Sequence, residues 1–209
     1  MPNPSVKRLE FLTPYQFDHV VAMSSQAMKD APGRSMMIGG DESLSNDLFA
    51  AMFRAALLEG ELYAVEQDEQ IVSVALWFEM SRPLFGTDAQ RALGFDDFFK
   101  KLLPKTQHWW AHTYPEAIGE WRPQIFTPEE NERLTWCYLL ATDVAHQNRG
   151  FATSLIDAWY DKKGQLVGLA TDSELNVAKY KSMGFRERGH IIIDGPDING
   201  LLCVALSKD

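Results

Sequence analysis

Residues 147–152 have the types and spacing needed to hold a phosphate-bearing ligand. Their sequence is Q-N-R-G-F-A, and they join an apolar run to an amphipathic segment. Backbone amides at the start of a helix have no partner within the helix, so several of them can point at one anion. We therefore predict a pyrophosphate-binding loop. Considered alone, Gly150 could equally begin a helix after an ordinary turn, because Gly and Asn are common in turns.

The elements around this loop form a strand, a helix and a second strand. Residues 134–144 are apolar between polar neighbours, which predicts a buried strand. A helix ending near Gly164 and a strand at 166–171 follow, and such a unit is normally a right-handed crossover within one sheet. The apolar residues at helical spacing are Phe151, Leu155, Ile156 and Trp159.

A second pattern lies downstream, where residues 176–185 read N-V-A-K-Y-K-S-M-G-F. Residues 147–152 fit the signature Q/R-x-x-G-x-G/A. The two patterns in this order, separated by a helix and a strand, resemble the GCN5-related N-acetyltransferase (GNAT) family. In isolation, Tyr180 could be a helix residue with its hydroxyl in water, and Gly184 an ordinary helix stop.

The resemblance implies an α/β (α+β) fold: a central mixed, mostly antiparallel sheet of about seven strands flanked by helices. It also implies one N-acetyltransferase domain over residues 1–209, with an insertion at 81–133 between the third and fourth strands. Within the family, the chain looks most like the branch that contains puromycin N-acetyltransferase.

The implied activity is direct transfer of an acetyl group from acetyl-coenzyme A (acetyl-CoA), as co-substrate, to the primary amine of a small molecule. Backbone amides near 140–142 would polarise the carbonyl if their strand splays from its parallel neighbour. Tyr180 would be catalytic, because a phenol with a pKa near ~10 suits protonation of a thiolate. The expected cofactor contacts are Leu140, Ala141, Thr142, Gln147, Asn148, Arg149, Gly150, Phe151, Ala152, Thr153, Asn176 and Tyr180.

A general base is not obvious from the sequence. Glu79, Asp143 and Asp172 lie at predicted strand ends, and His108 and His112 lie in the insertion. For each, a solvated or structural role is the expected one. The two histidines have helical i, i+4 spacing, but no third ligand of fitting spacing follows, so we expect no metal site.

The sequence departs from the family pattern at three positions. Ala170 stands where many relatives of the puromycin-type branch carry a Glu, Val144 where a Pro is usual, and Ala152 where a second Gly is more common. Ala is still small enough for phosphates to approach. The missing Glu leaves a second hypothesis open, in which the chain binds acetyl-CoA as a sensor or interaction module with little catalysis.

Aromatic residues in the insertion are candidates for the acceptor pocket. We predict substrate contacts at Trp109, Trp110 and Tyr114, because small-molecule pockets are commonly lined by aromatic side chains. The alternative is that these rings only pack the insertion onto the sheet. The pocket would then lie between the first two helices, around 34–38.

Periodicity outlines the remaining elements as strands and helices in alternation. The predicted strands cover 6–12, 62–66, 71–78, 189–194 and 201–206, and the predicted helices cover 14–29 and 43–58.

Composition fits a single globular enzyme. The 209 residues are 45% hydrophobic and carry a formal net charge of −9, which argues against a nucleic-acid partner. Cys137 and Cys203 fall in predicted strands, which indicates core packing in a reducing compartment. The first seven residues lack the apolar core of a signal peptide, and no stretch reaches a membrane span, so we expect a cytoplasmic protein. Oligomeric state is not predicted.

Overall fold

Seven strands form one sheet in a computed structural model that describes residues 5–209. Residues 1–4, part of the segment for which no signal peptide is expected, lie outside the described residues. The strands are β1 Val6–Leu9, β2 Glu61–Gln67, β3 Gln70–Glu79, β4 Thr135–Thr142, β5 Val167–Thr171, β6 Arg186–Ile193 and β7 Leu201–Lys208.

The spatial order is β1-β2-β3-β4-β5-β7-β6, in which β4 and β5 are parallel and the other neighbours are antiparallel. The predicted mixed, mostly antiparallel sheet is confirmed. Two predicted boundaries are wrong by three residues. β1 ends at Leu9 rather than at residue 12, because Thr13 and Gln16 form a capping box that begins the next helix. β6 begins at Arg186, three residues earlier than predicted.

Helices cover both faces of the sheet, and an apolar core lies between the sheet and the helices on each face. One core packs the N-terminal helices and part of the insertion against the sheet, and the other packs the helices Phe151–Lys163 and Glu174–Ser182 against the opposite face. The helices outside the insertion are α1 Pro14–Ala27, α2 Pro32–Met37, α3 Ser45–Glu59, α9 Phe151–Lys163 and α10 Glu174–Ser182.

The insertion between β3 and β4 is helical. Its helices are α4 Asp88–Gln90, α5 Asp96–Lys101, α6 Pro104–His108, α7 Tyr114–Ile125 and α8 Pro128–Arg133, with wider turns at Arg91–Phe95 and Trp109–Thr113. Arg188 of β6 anchors it by donating to the carbonyl of Ile125 and to the carboxylate of Glu130. No helix within residues 5–209 is long and apolar enough to cross a membrane.

β4 and β5 separate soon after they begin. They pair only at Thr135 with Val167 and at Trp136 with Gly168 within the described chain. A Cβ on Gly168 would lie 2.5 Å from Cε3 of Trp136, so the indole occupies the space of a side chain there. Just beyond, Tyr138 is the extra residue of a bulge against β3, and bulges bend the strand that carries them. The result is an opening, the β4–β5 gap, between residues 137–142 and 169–171.

Gly168→Ala tests whether this close approach shapes the start of the gap. We expect a loss of about 1–3 kcal/mol in the free energy of unfolding, because the methyl group would collide with a packed indole. Gly119→Ala in α7 is the matched control, since its Cβ meets no atom within 4 Å and Ala favours a helix by about 0.5–1 kcal/mol. Urea unfolding measures both. Equal effects of the two substitutions would contradict the packing account.

Candidate active site

The backbone of β4 presents free amides to the β4–β5 gap. The Asp143 N–H donates to the Val72 carbonyl at 2.9 Å, which fixes the residues of β4 that pair with β3. Successive N–H groups along a strand point to opposite sides. The N–H groups of Leu140 and Thr142 therefore point away from β3, into the gap. The Thr142 carbonyl accepts a bond from Gln147 Nε2 at 3.3 Å on that side. Of the three predicted contacts, Ala141 is directed at β3 instead.

The N-terminus of α9 lies at the same end of β4 and has no side-chain cap. Its first intrahelical bond runs from the Ser154 N–H to the Gly150 carbonyl at 3.0 Å, which leaves the N–H groups of Phe151, Ala152 and Thr153 free. The first turn carries no acidic residue. The positive end of the helix dipole is therefore available to an anion, as the sequence predicts.

The loop before α9 has the backbone conformation that makes amides converge. Asn148 and Gly150 both adopt positive φ angles, of 61° and 81°. Alternation of left- and right-handed residues forms concave anion sites, and only Gly adopts this conformation without strain. A Cβ on Gly150 would meet no atom within 4 Å, and residues 147–150 are all exposed. The cradle thus has room for a phosphate.

Tyr180 approaches the gap from the face covered by α9 and α10. Its ring packs against Phe185 with centroids 5.8 Å apart. Burial raises the pKa of the Tyr180 phenol well above its usual range, and the neighbouring Cys137 and Asp172 raise it further. Cys137 lies in β4 and Asp172 directly follows β5, so the phenol lies beside both sides of the gap and keeps its proton at neutral pH. Asn176 is half-buried one turn earlier in α10.

A different set of residues meets on the opposite face. The half-buried Asp172 accepts a hydrogen bond from the Gly33 N–H of α2 through Oδ2, at 2.7 Å. Its charge contributes to the raised pKa of the Cys203 thiol, about 11, although burial is the larger cause. The phenol of Tyr114, in α7, also lies near Cys203, and burial raises its pKa to about 12. Asp172 is therefore a carboxylate at the edge of an apolar region.

The other candidate bases have different surroundings. Glu79 pairs with Thr135 at the opposite end of β4. Asp143 caps the turn after β4, and its hydrogen bond to His146 lowers its carboxyl pKa. The exposed rings of His108 and His112 lie 4.7 Å apart, and within residues 5–209 no three His, Cys, Asp or Glu side chains form a cluster that could hold a metal.

The three predicted substrate contacts lie together, but in different settings. The Trp109 indole is 4% exposed and donates to the Asp194 carbonyl, and the Trp110 indole donates to the Met37 carbonyl. Both therefore also tie the insertion to neighbouring segments. Tyr114 packs on Trp109 with centroids 5.0 Å apart.

Two parts of the site were not predicted from the sequence. Cys203 is half-buried near Asp172, at the border of a small apolar cluster rather than in either main core. The signal was the alternation in β7, where Val204 and Leu206 face the other core. The short helix α2 was not predicted either, although Pro32 stands at its first turn, a usual position for proline.

Comparisons with known proteins give matches at the level of structure. No family model matches the sequence, and no curated protein matches it significantly. The structure matches a Corynebacterium glutamicum protein named histone acetyltransferase HPA2 and related acetyltransferase, with a TM-score of 0.62 and 20% identity over 99% of this chain and 96% of that one. An N-acetyltransferase from Staphylococcus aureus Mu50 also has a TM-score of 0.62, with 14% identity over 97% and 100%.

A further match is an acetyltransferase of Bacillus subtilis solved in complex with CoA. Its TM-score is 0.50, with 12% identity over 99% of this chain and 98% of that one. Identities this low establish the fold alone. The chain therefore has the fold of the GNAT acetyltransferases, and these matches leave the puromycin-type branch unconfirmed.

Proposed function

We propose that the protein is an acetyl-CoA-dependent N-acetyltransferase that acts on the primary amine of a small molecule by direct transfer. One observation carries the proposal. The unpaired amides of Leu140 and Thr142 open into the β4–β5 gap, with the uncapped N-terminus of α9 at the same end and Tyr180 at its side. These are the groups that a thioester with a pyrophosphate tail needs.

Each group has a separate task in this proposal. The free amides of Phe151, Ala152 and Thr153 bind the pyrophosphate of the cofactor, and Asn176 holds its arm. The amides of Leu140 and Thr142 donate to the carbonyl oxygen, where negative charge develops as the amine attacks. Tyr180 then gives its proton to the departing thiolate, a role that its raised pKa preserves at neutral pH.

The insertion supplies the wall of the acceptor site. Tyr114 is the contact best placed for this, because it lies near Cys203, whose thiol in turn senses the charge of Asp172. Trp109 and Trp110 hold the wall in place through their bonds to backbone carbonyls and offer ring edges to the acceptor.

Release of free thiol from acetyl-CoA across a panel of amines tests the activity. The panel contains small primary amines and short peptides with free N-termini, because one structural match is named for histone acetylation. We expect turnover with small amines. Tight binding of acetyl-CoA without thiol release from any acceptor would favour the sensor or interaction module, and turnover of peptides alone would contradict the small-molecule acceptor.

Gly150→Glu tests the cofactor cradle. A carboxylate among the phosphate-facing amides adds like-charge repulsion, so we expect CoA affinity to fall by about a hundredfold or more in calorimetric titration. Gly150→Ala is the control, since its Cβ enters open space and only the positive φ is strained, at about 1–3 kcal/mol in stability. Unchanged CoA affinity in Gly150→Glu would remove this loop from the cofactor site.

Tyr180→Phe tests the proton donor, because the hydroxyl is the atom removed. We expect kcat to fall about ten- to a thousandfold with little change in CoA affinity. Because burial and its neighbours raise the pKa of Tyr180 above its usual value near ~10, its ionisation should not lower kcat between about pH 7 and 10. Equal turnover by the variant and the parent would show that another group protonates the thiolate.

A further inference from the structure

The geometry points to Asp172 as the residue that receives the acceptor, and to an acceptor that arrives as a cationic alkylamine on an apolar, aromatic body. This inference rests on the proposed acetyl transfer and deepens it. Asp172 follows β5 directly and therefore lies across the gap from Leu140 and Thr142. It is on the same strand face as Ala170, two residues earlier.

The surroundings of Asp172 leave one carboxylate oxygen free. Oδ2 accepts the Gly33 N–H at 2.7 Å, whereas Oδ1 has no hydrogen-bond partner in residues 5–209. The amide of Gly33 from α2 is in contact with Asp172, and the charge of Asp172 also reaches the phenol of Tyr180 from α10 and the thiol of Cys203 from β7, whose pKa values it raises. No cation among the described residues pairs with this carboxylate, so an ammonium group can.

The region next to Asp172 is apolar. A Cβ built on Gly33 would lie 3.0 Å from Oδ2 of Asp172 and 4.0 Å from Cδ2 of Leu201, so Leu201 lies near the same carboxylate. Leu201 and Cys203 border a cluster whose buried members are Met36, Trp109 and Ile193, with Trp110 and Tyr114 packed around them. A charged end at Asp172 with an apolar flank fits an amine that carries an aromatic ring.

With Asp172 in this position, every proton transferred in the reaction has a donor and an acceptor. An ammonium group that pairs with Asp172 loses one proton to water before it attacks. As the N–C bond forms and the C–S bond breaks, the amine nitrogen gives a second proton to Asp172, and Tyr180 gives its proton to the thiolate. Asp172 then loses its proton to water and Tyr180 regains one from water, so both residues end in their starting states and one proton is released overall.

Calorimetric titration of phenethylamine into the CoA-saturated protein tests the inference, with aniline as an analogue that is neutral at pH 7. Asp172→Asn removes the charge, but its side-chain carbonyl can still accept the Gly33 N–H. We expect phenethylamine to bind about ten- to a hundredfold more weakly and aniline nearly unchanged, because an ammonium interaction alone is lost. Glu79→Gln, at the far end of the sheet, is the matched control and should change neither affinity.

Ala170→Lys is a second variant that keeps Asp172 and places a cation on the same strand face at an exposed position. It should also weaken phenethylamine binding and spare aniline. Equal phenethylamine affinity in the parent and Asp172→Asn, or no phenethylamine binding by the parent, would overturn the inference. If amine binding depends on the charge of Asp172 but no thiol is released, acetyl transfer is refuted and the amine site stands. If thiol is released at a rate that Asp172→Asn leaves unchanged, only the role of Asp172 is refuted.

Discussion

The separation of β4 from β5 is the constraint on which the site depends. A parallel pair that continued to the ends of both strands would satisfy the amides of Leu140 and Thr142 within the sheet. Gly168 and Trp136 end the pairing after two residue pairs, and the bulge at Tyr138 bends β4 away. The two residue pairs between β4 and β5 keep the seven strands in one sheet, and β5 stays ordered because it pairs along its other edge with β7, from Val167 to Thr171.

The gap joins two faces that are otherwise separated by the sheet. On one face α9 is held by the stacking of Trp159 on Trp77, at 5.0 Å between centroids, and by the Trp159 indole bond to Glu61. That docking places the N-terminus of α9 beside the end of β4. On the other face Arg34 fixes the path into α2 by donating to Met28 and Glu42, and α2 supplies the amide that orients Asp172. The proposed proton donor and the proposed proton acceptor thus come from opposite faces.

Much of the fold was predictable because its signals are local. The strand before the loop, the helix after it and the hairpin of β2 and β3 follow from hydrophobic periodicity and turn residues. The left-handed conformation of Gly150 and the uncapped start of α9 agree with the predicted loop. The family resemblance predicted a catalytic role for Tyr180, whereas periodicity alone would make it an ordinary helix residue.

The acceptor side could not be predicted in the same way, because it is assembled from distant segments. Asp172 and Gly33 are 139 residues apart in the chain, and their contact depends on the placement of a short helix with few local signals. In the sequence, Glu79 and Asp172 are both carboxylates at predicted strand ends. The antiparallel pairing of β3 with β4 places Glu79 at the far end of β4, which the sequence does not show. Cys203 was assigned to the core because the alternation of β7 was not used.

Amide hydrogen exchange followed by NMR, with and without acetyl-CoA, tests the central claim most directly. The amides of Leu140 and Thr142 face the gap, whereas the Asp143 amide is bonded to Val72 and the Ala141 amide faces β3. We predict that acetyl-CoA slows exchange at Leu140 and Thr142, together with Phe151, Ala152 and Thr153, and leaves Ala141 and Asp143 nearly unchanged. Protection confined to α9, with Leu140 and Thr142 unaffected, would contradict the account.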